Sequence, residues 1–152
     1  MERIASAATR EFFLRVMAPG EPLGAAFDGD AYPALVWAAA RTTATQKHRL
    51  CAELIATGCR YVVCGGRESA AWEEAADDAF AAQDLPDEDF EAGHVMTSSH
   101  EYEPPDEVAF FFVHNTSFGG HDFTRYLILM IGEDSGIRER LVSAIRKEAE
   151  QG

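Results

Sequence analysis

The sequence predicts a single α/β domain over residues 1–152. Its plan is a mostly parallel, open sheet of about four strands with flanking helices, a Rossmann-like or flavodoxin-like three-layer sandwich, with an N-terminal helix added. Three observations predict it. Short runs rich in β-formers alternate four times with stretches of helical period, the pattern of parallel strands joined by right-handed crossovers. Those runs are apolar at successive positions, as strands covered on both faces are. One stretch shows the unit whole: Tyr61-Val62-Val63-Cys64 is a strand, Gly65-Gly66 turns the chain, and Trp72, Ala75, Ala76, Ala79 and Phe80 form a helical stripe behind it.

Residues 1–33 read as an N-terminal helix and loop, residues 34–150 as the βα repeats. Ile4, Ala8, Phe12 and Val16 are spaced for a helix over 3–17. Phe12, Leu14 and Val16 also alternate, so a strand over Phe12–Met17 is the rival. Pro19-Gly20 stops this element, and the prolines and glycines of residues 19–33 mark a loop. Ala34–Ala39 is the first core strand. A helix follows over about Thr43–Thr57, with Leu50, Cys51, Leu54 and Ile55 inward and Gly58 just past its end. In the next unit Ser69 is the expected N-cap, and Glu73, Glu74, Asp77 and Asp78 face water.

Residues 84–94 form an acidic loop. Val95–Ser99 is a third, more polar strand. Pro104-Pro105-Asp106-Glu107 opens a helix, because proline suits the first turn and acids suit the positive end of the dipole. The phenylalanines of Val108–His114 leave a strand there as the alternative. Ser117–Asp122 is a loop, Tyr126–Ile131 is the fourth strand, and Asp134 or Ser135 caps a last helix with Ile137, Leu141 and Ile145 inward.

Two strand orders are economical, 3-2-1-4 and 2-1-3-4. The first is preferred because it puts the polar third strand at an edge. Both leave the apolar fourth strand at an edge, where it needs a cover. The N-terminal segment, the 108–114 segment or a second copy would serve. With both segments read as helices, a homodimer through the fourth strand is the expectation.

Composition narrows the partners. A net charge of −13 argues against nucleic acid or an anionic membrane surface, since both need a basic footprint, and it permits a basic protein partner. Cys51, Cys59 and Cys64 make no disulfide framework and read as free thiols of a cytoplasmic protein. The N-terminus has no signal-peptide pattern, and no run approaches a membrane span.

The run Met96-Thr97-Ser98-Ser99-His100-Glu101-Tyr102-Glu103-Pro104 resembles a Met-Thr-Thr-Trp-His-x-x-Glu-Pro pattern of a family of small bacterial proteins of unknown function. Gly66 followed by Trp72, Phe111 with His114, and the apolar strand ending near Gly132 are similar too. The resemblance covers the second half of the chain, with Ser99 where the pattern has Trp. It implies a bacterial domain and no particular activity.

In an open parallel sheet, ligands bind beyond the carboxyl ends of the strands. The candidate ligand-binding residues there are Arg41, Gly65, Gly66, Arg67, Ser98, His100 and Glu101. Gly65-Gly66 before a helix offers amides to a phosphate, but no G-x-G-x-x-G or G-K-[ST] is present and Glu68 would repel an anion. Cys64 and His100 make a nucleophile–base pair if their strands are neighbours, with Glu103 orienting the imidazole; the simpler role for Cys64 is a buried, inert thiol. No metal site or cofactor is expected, because His100-Glu101-Tyr102-Glu103 is not H-E-x-x-H and His114 lies too far from His100 to share an ion. A serine nucleophile lacks its G-x-S-x-G, so Ser98 and Ser99 are expected to satisfy local backbone groups.

No complete catalytic signature is present, and whether the chain is an enzyme stays open. The leading expectation is a non-enzymatic cytoplasmic protein-interaction module, acidic and immunity- or adaptor-like. The alternative is a small enzyme or ligand-binding sensor with its site at the carboxyl ends of the strands. A formed pocket at those residues favours the second; a flat charged face favours the first.

Overall fold

Parallel pairing dominates the architecture. In a computed structural model that describes residues 1–83, 94–117 and 122–151, one six-stranded sheet runs in the order β1-β2-β6-β3-β4-β5. The strands are β1 (Glu2–Ala7), β2 (Arg10–Met17), β3 (Tyr32–Ala38), β4 (Cys59–Gly66), β5 (Met96–His100) and β6 (Arg125–Ile131). All neighbours are parallel except the β1–β2 hairpin at one edge. Among the described residues the α-helices are α1 (Ala44–Ala56), α2 (Ser69–Ala81), α3 (Pro105–His114) and α4 (Ser135–Gln151). None of these is long and apolar enough to cross a membrane.

Side-chain alternation divides the core in two. Ala34, Val36 and Ala38 of β3, with Leu127, Leu129 and Ile131 of β6, pack against Leu50 and Leu54 of α1 and Trp72 and Ala76 of α2. Leu35, Trp37, Ile128 and Met130 point the other way, against Val108 and Phe112 of α3 and Leu141 and Ile145 of α4. Helices thus cover both faces, and β3 is buried at every position, as is β6 from Tyr126 onward.

Two expectations about the sheet meet different fates. The core strands do run 3-2-1-4, here β5-β4-β3-β6, with the polar strand at an edge. The N-terminal helix is absent. Residues 2–17 form an antiparallel hairpin that turns at Ala8-Thr9, where Ala8 takes a φ of 52°. The helical spacing of Ile4, Ala8, Phe12 and Val16 is coincidental. The period that counts is two: Phe12, Leu14 and Val16 turn to the α3/α4 core, Phe13 and Met17 to the other. β2 lies parallel to β6 from Glu11↔Arg125 to Met17↔Ile131, so the chain covers its own fourth strand. The ground for a homodimer through that strand is gone.

The helix ends follow local chemistry, with one surprise. Thr43 caps α1 through a complete capping box with Gln46, and Asp134 accepts the Ile137 amide at 3.1 Å to cap α4. At α2 the expected cap, Ser69, is the first helical residue, its hydroxyl buried. Glu68 takes the cap position at φ 57°, with no side-chain cap bond. Its carboxylate is drawn instead to the Lys47 ammonium at 2.8 Å, beside Thr42. The acidic 84–94 loop falls outside the described residues but for His94, and so does most of the 117–122 loop.

Candidate functional site at the carboxyl edge

Glycines shape the edge where all four core strands end. Gly65 sits under Trp37; a Cβ there would lie 2.8 Å from the indole. Gly66 turns the chain at φ 77°, so close to β3 that a Cβ would meet the Ala38 carbonyl oxygen at 2.5 Å. The Arg67 amide then donates to that carbonyl at 2.8 Å. β4 and β5 lie to one side of β3 and β6 to the other, so the chain reverses its direction of travel across the sheet here, the place where open α/β sheets form crevices. A cleft of about 590 Å³ lies there, lined by Trp37, Gly66, Arg67, Tyr102, Glu103 and Asp134 among others. Arg67 is exposed and forms no ion pair among the described residues. Tyr102 is fully exposed and takes a left-handed φ of 63°.

Beside the cleft runs a chain of hydrogen bonds. Ser98 and His100 are two apart on β5 and so share a face. Ser98 Oγ is 3.0 Å from His100 Nε2. Beyond the strand, the turn into α3 brings Glu103 Oε2 to 2.8 Å from His100 Nδ1. The imidazole is 8% exposed and lies 4.5 Å, ring to ring, from Phe111 of α3. Tyr61, on the neighbouring strand, lies on the same face as Ser98; burial pushes its hydroxyl pKa up, and interaction with Ser98 opposes the rise. Glu103 belongs both to this series and to the cleft wall.

The carboxylate dictates the imidazole's tautomer. A carboxylate accepts only, so Nδ1 carries the proton, and Nε2 presents a lone pair to the Ser98 hydroxyl. In that state His100 is placed to take a proton, and Glu103 to stabilise the cation that results.

Cys64 and His100 do not meet. Cys64 pairs laterally with Ser99 and Gly65 with His100, so thiol and imidazole point to opposite faces. Cys64 is wholly buried in the α1/α2 core, where desolvation raises its pKa well above the ordinary thiol value. Adjacent strands were necessary for the pair, but the one-residue offset in register defeats it. Of the other candidates, Gly66 and Arg67 line the cleft. Gly65 serves packing. Arg41, in the loop before α1, and Glu101 are exposed and line no part of it. Ser98 bonds a side chain rather than serving the backbone alone.

Sequence reasoning passed over Trp37, Tyr61, Tyr102 and Phe111. Tyr102 carried a signal: an aromatic beside acids in a turn has no core to enter. Tyr61 had one too, since its alternation with Val63 puts it on the Ser98 face once the strands are paired. The repulsion expected from Glu68 is offset by Lys47, which also lies 5.8 Å from the Trp72 ring centre. Hydrogen bonding to Lys47, above all, holds the Glu68 carboxyl below its ordinary value. Among the described residues, no three His, Cys, Asp or Glu side chains converge as metal ligands would.

The family described as Domain of unknown function (DUF7684) matches residues 14–148. Comparison with curated proteins gives no match, nor does comparison with solved structures.

Proposed function

The chain belongs to the DUF7684 family, to which no activity is attached, and we propose that it binds a small polar molecule in the carboxyl-edge cleft, with His100 and Glu103 handling a proton at its wall. The observation that supports this is the double membership of Glu103: one oxygen holds His100 at 2.8 Å, and the residue also lines the cleft. A protonation change at the imidazole is thereby coupled to whatever occupies the cleft. Arg67 supplies a cation with no ion pair among the described residues, Tyr102 an aromatic surface, and Asp134 a carboxylate with one oxygen used in capping. Such a set recognises a ligand with an anionic group and a hydrogen-bond donor.

The test is a thermal-shift screen of small carboxylates, phosphates and amino acids on the full chain. A true ligand at 100 times its Kd stabilises by about 2.7 kcal/mol. The gain should vanish in Arg67→Ala and shrink in Glu103→Gln. Hits that stabilise both variants as well as the wild type would place binding elsewhere and sink the proposal.

One observation favours a second reading, the acidic interaction module. The outer side of α2 carries Glu74, Asp77 and Asp78 at the surface. Two of these already have internal partners: Asp77 accepts from Thr97 at 2.7 Å, and Asp78 is 3.2 Å from His48. A basic partner docking there would be lost in a Glu74→Lys, Asp78→Lys variant and retained in Arg67→Ala. The reverse pattern would rule this reading out.

A further inference from the structure

We infer that Ser98 is a nucleophile for acyl transfer, with His100 as its base and Glu103 as the group that orients the base. This deepens the proposed use of the carboxyl edge and rests on it. The geometry has the order such chemistry needs: hydroxyl to Nε2 at 3.0 Å, Nδ1 to carboxylate at 2.8 Å. The distribution of exposure fits as well. Ser98 is partly exposed on an edge strand, while the imidazole is covered by Phe111 and screened from water. A base shielded in this way keeps its hydrogen bonds, and the nucleophile stays reachable.

The substrate class is an ester of a small carboxylic acid. Ser98 Oγ forms a bond to the carbonyl carbon as its proton passes to His100 Nε2. The carbonyl oxygen becomes an oxyanion. Collapse breaks the bond to the leaving alkoxide, which takes the proton from His100. Water then gives a proton to the same nitrogen, attacks the acyl-serine, and releases the acid as Ser98 recovers its proton. Nothing is oxidised or reduced, and water is the only co-reactant.

The test uses a fluorophosphonate on the full chain. Ser98 Oγ bonds the phosphorus, fluoride leaves, and peptide mapping reads the adduct. Labelling is expected at Ser98 and lost in Ser98→Ala. It should slow by about 10²-fold or more in His100→Ala, the range for a positioned base. It should be unchanged in Ser99→Ala, whose side chain is on the opposite face. Should His100→Ala unfold, Glu103→Gln carries the same comparison, with slower labelling expected. An unlabelled Ser98 in protein whose Nδ1 proton shows a downfield resonance overturns the inference, because the hydrogen-bond series would then be intact and inert. Labelling that neither variant slows overturns it too. Ligand stabilisation through Arg67 is a separate readout, so loss of the nucleophile leaves the binding proposal standing.

Discussion

Glu103 Oε2 lies 2.8 Å from His100 Nδ1, and this contact ties the end of an edge strand to the turn that opens α3. The carboxylate side chain is 41% exposed and the imidazole 8%, so one partner faces water while the other is sheltered. Glu103→Gln keeps the shape and removes the charge. It should destabilise the fold by about 1–2 kcal/mol in urea titration, as expected for a hydrogen bond to a charged group. The downfield Nδ1 proton resonance should move or vanish. No change in either measurement would mean that the contact does not persist in solution.

Acid should act on the Lys47–Glu68 pair. Hydrogen bonding to Lys47 lowers the Glu68 pKa from its ordinary 4.5. A carboxylate depressed in the folded state contributes stability above its unfolded pKa and loses it as pH falls through the folded one. The stability difference between wild type and Glu68→Gln should therefore be constant near neutrality and close below pH 4.5. A gap that widens in acid would contradict the assignment.

The three thiols should be silent. Burial pushes the Cys51 and Cys59 thiols up to about 12 and raises that of Cys64 as well. A thiol reagent at pH 8 should leave the native chain unlabelled and modify all three cysteines in denaturant. Rapid native labelling of Cys64 alone would show that its strand end opens.

Gly66→Ala should be severe. The residue holds a φ of 77°, and a Cβ would lie 2.5 Å from the Ala38 carbonyl oxygen. Strain and overpacking together predict a loss of about 2 kcal/mol or more, with the melting temperature as readout. A neutral result would mean that β3 and β4 separate easily at the cleft.

Removal of residues 1–17 should expose the β6 edge. β6 is apolar along its length and depends on β2 for its outer hydrogen bonds. Light scattering should find association or aggregation in the truncated chain beyond that of the full one. An equally soluble, monodisperse truncation would remove β2 from its protective role.

Legibility in the sequence tracks how local each determinant is. The capping box of Thr43 and Gln46, the Gly58 terminus, the proline entry to α3 and the cap at Asp134 are short-range, and their residue types announce them. The β1–β2 hairpin was hidden because Ile4, Ala8, Phe12 and Val16 satisfy a helical period while Phe12, Leu14 and Val16 obey the sheet. Only pairing with a strand at the far end of the chain decides between them. Glu103 as the orienter of His100 was legible from three-residue spacing across a turn. The Cys64–His100 pair failed, and the shared face of Tyr61 and Ser98 went unseen, for one reason: register between strands, which no single strand encodes.

The β2–β6 pairing carries a cost in time as well as a benefit in cover. Residues 11–17 wait for residues 125–131, and β6 is also the strand that joins β2 to β3. On the ribosome the hairpin emerges long before β6 and finds no docking place until β6 has followed it. Contacts of such long sequence separation slow folding, and the interval leaves apolar β2 and one edge of β3 bare. A nascent chain stalled before Arg125 should be cut by protease within Phe12–Met17, while the released chain resists; equal resistance would mean that the hairpin finds shelter before its partner strand exists.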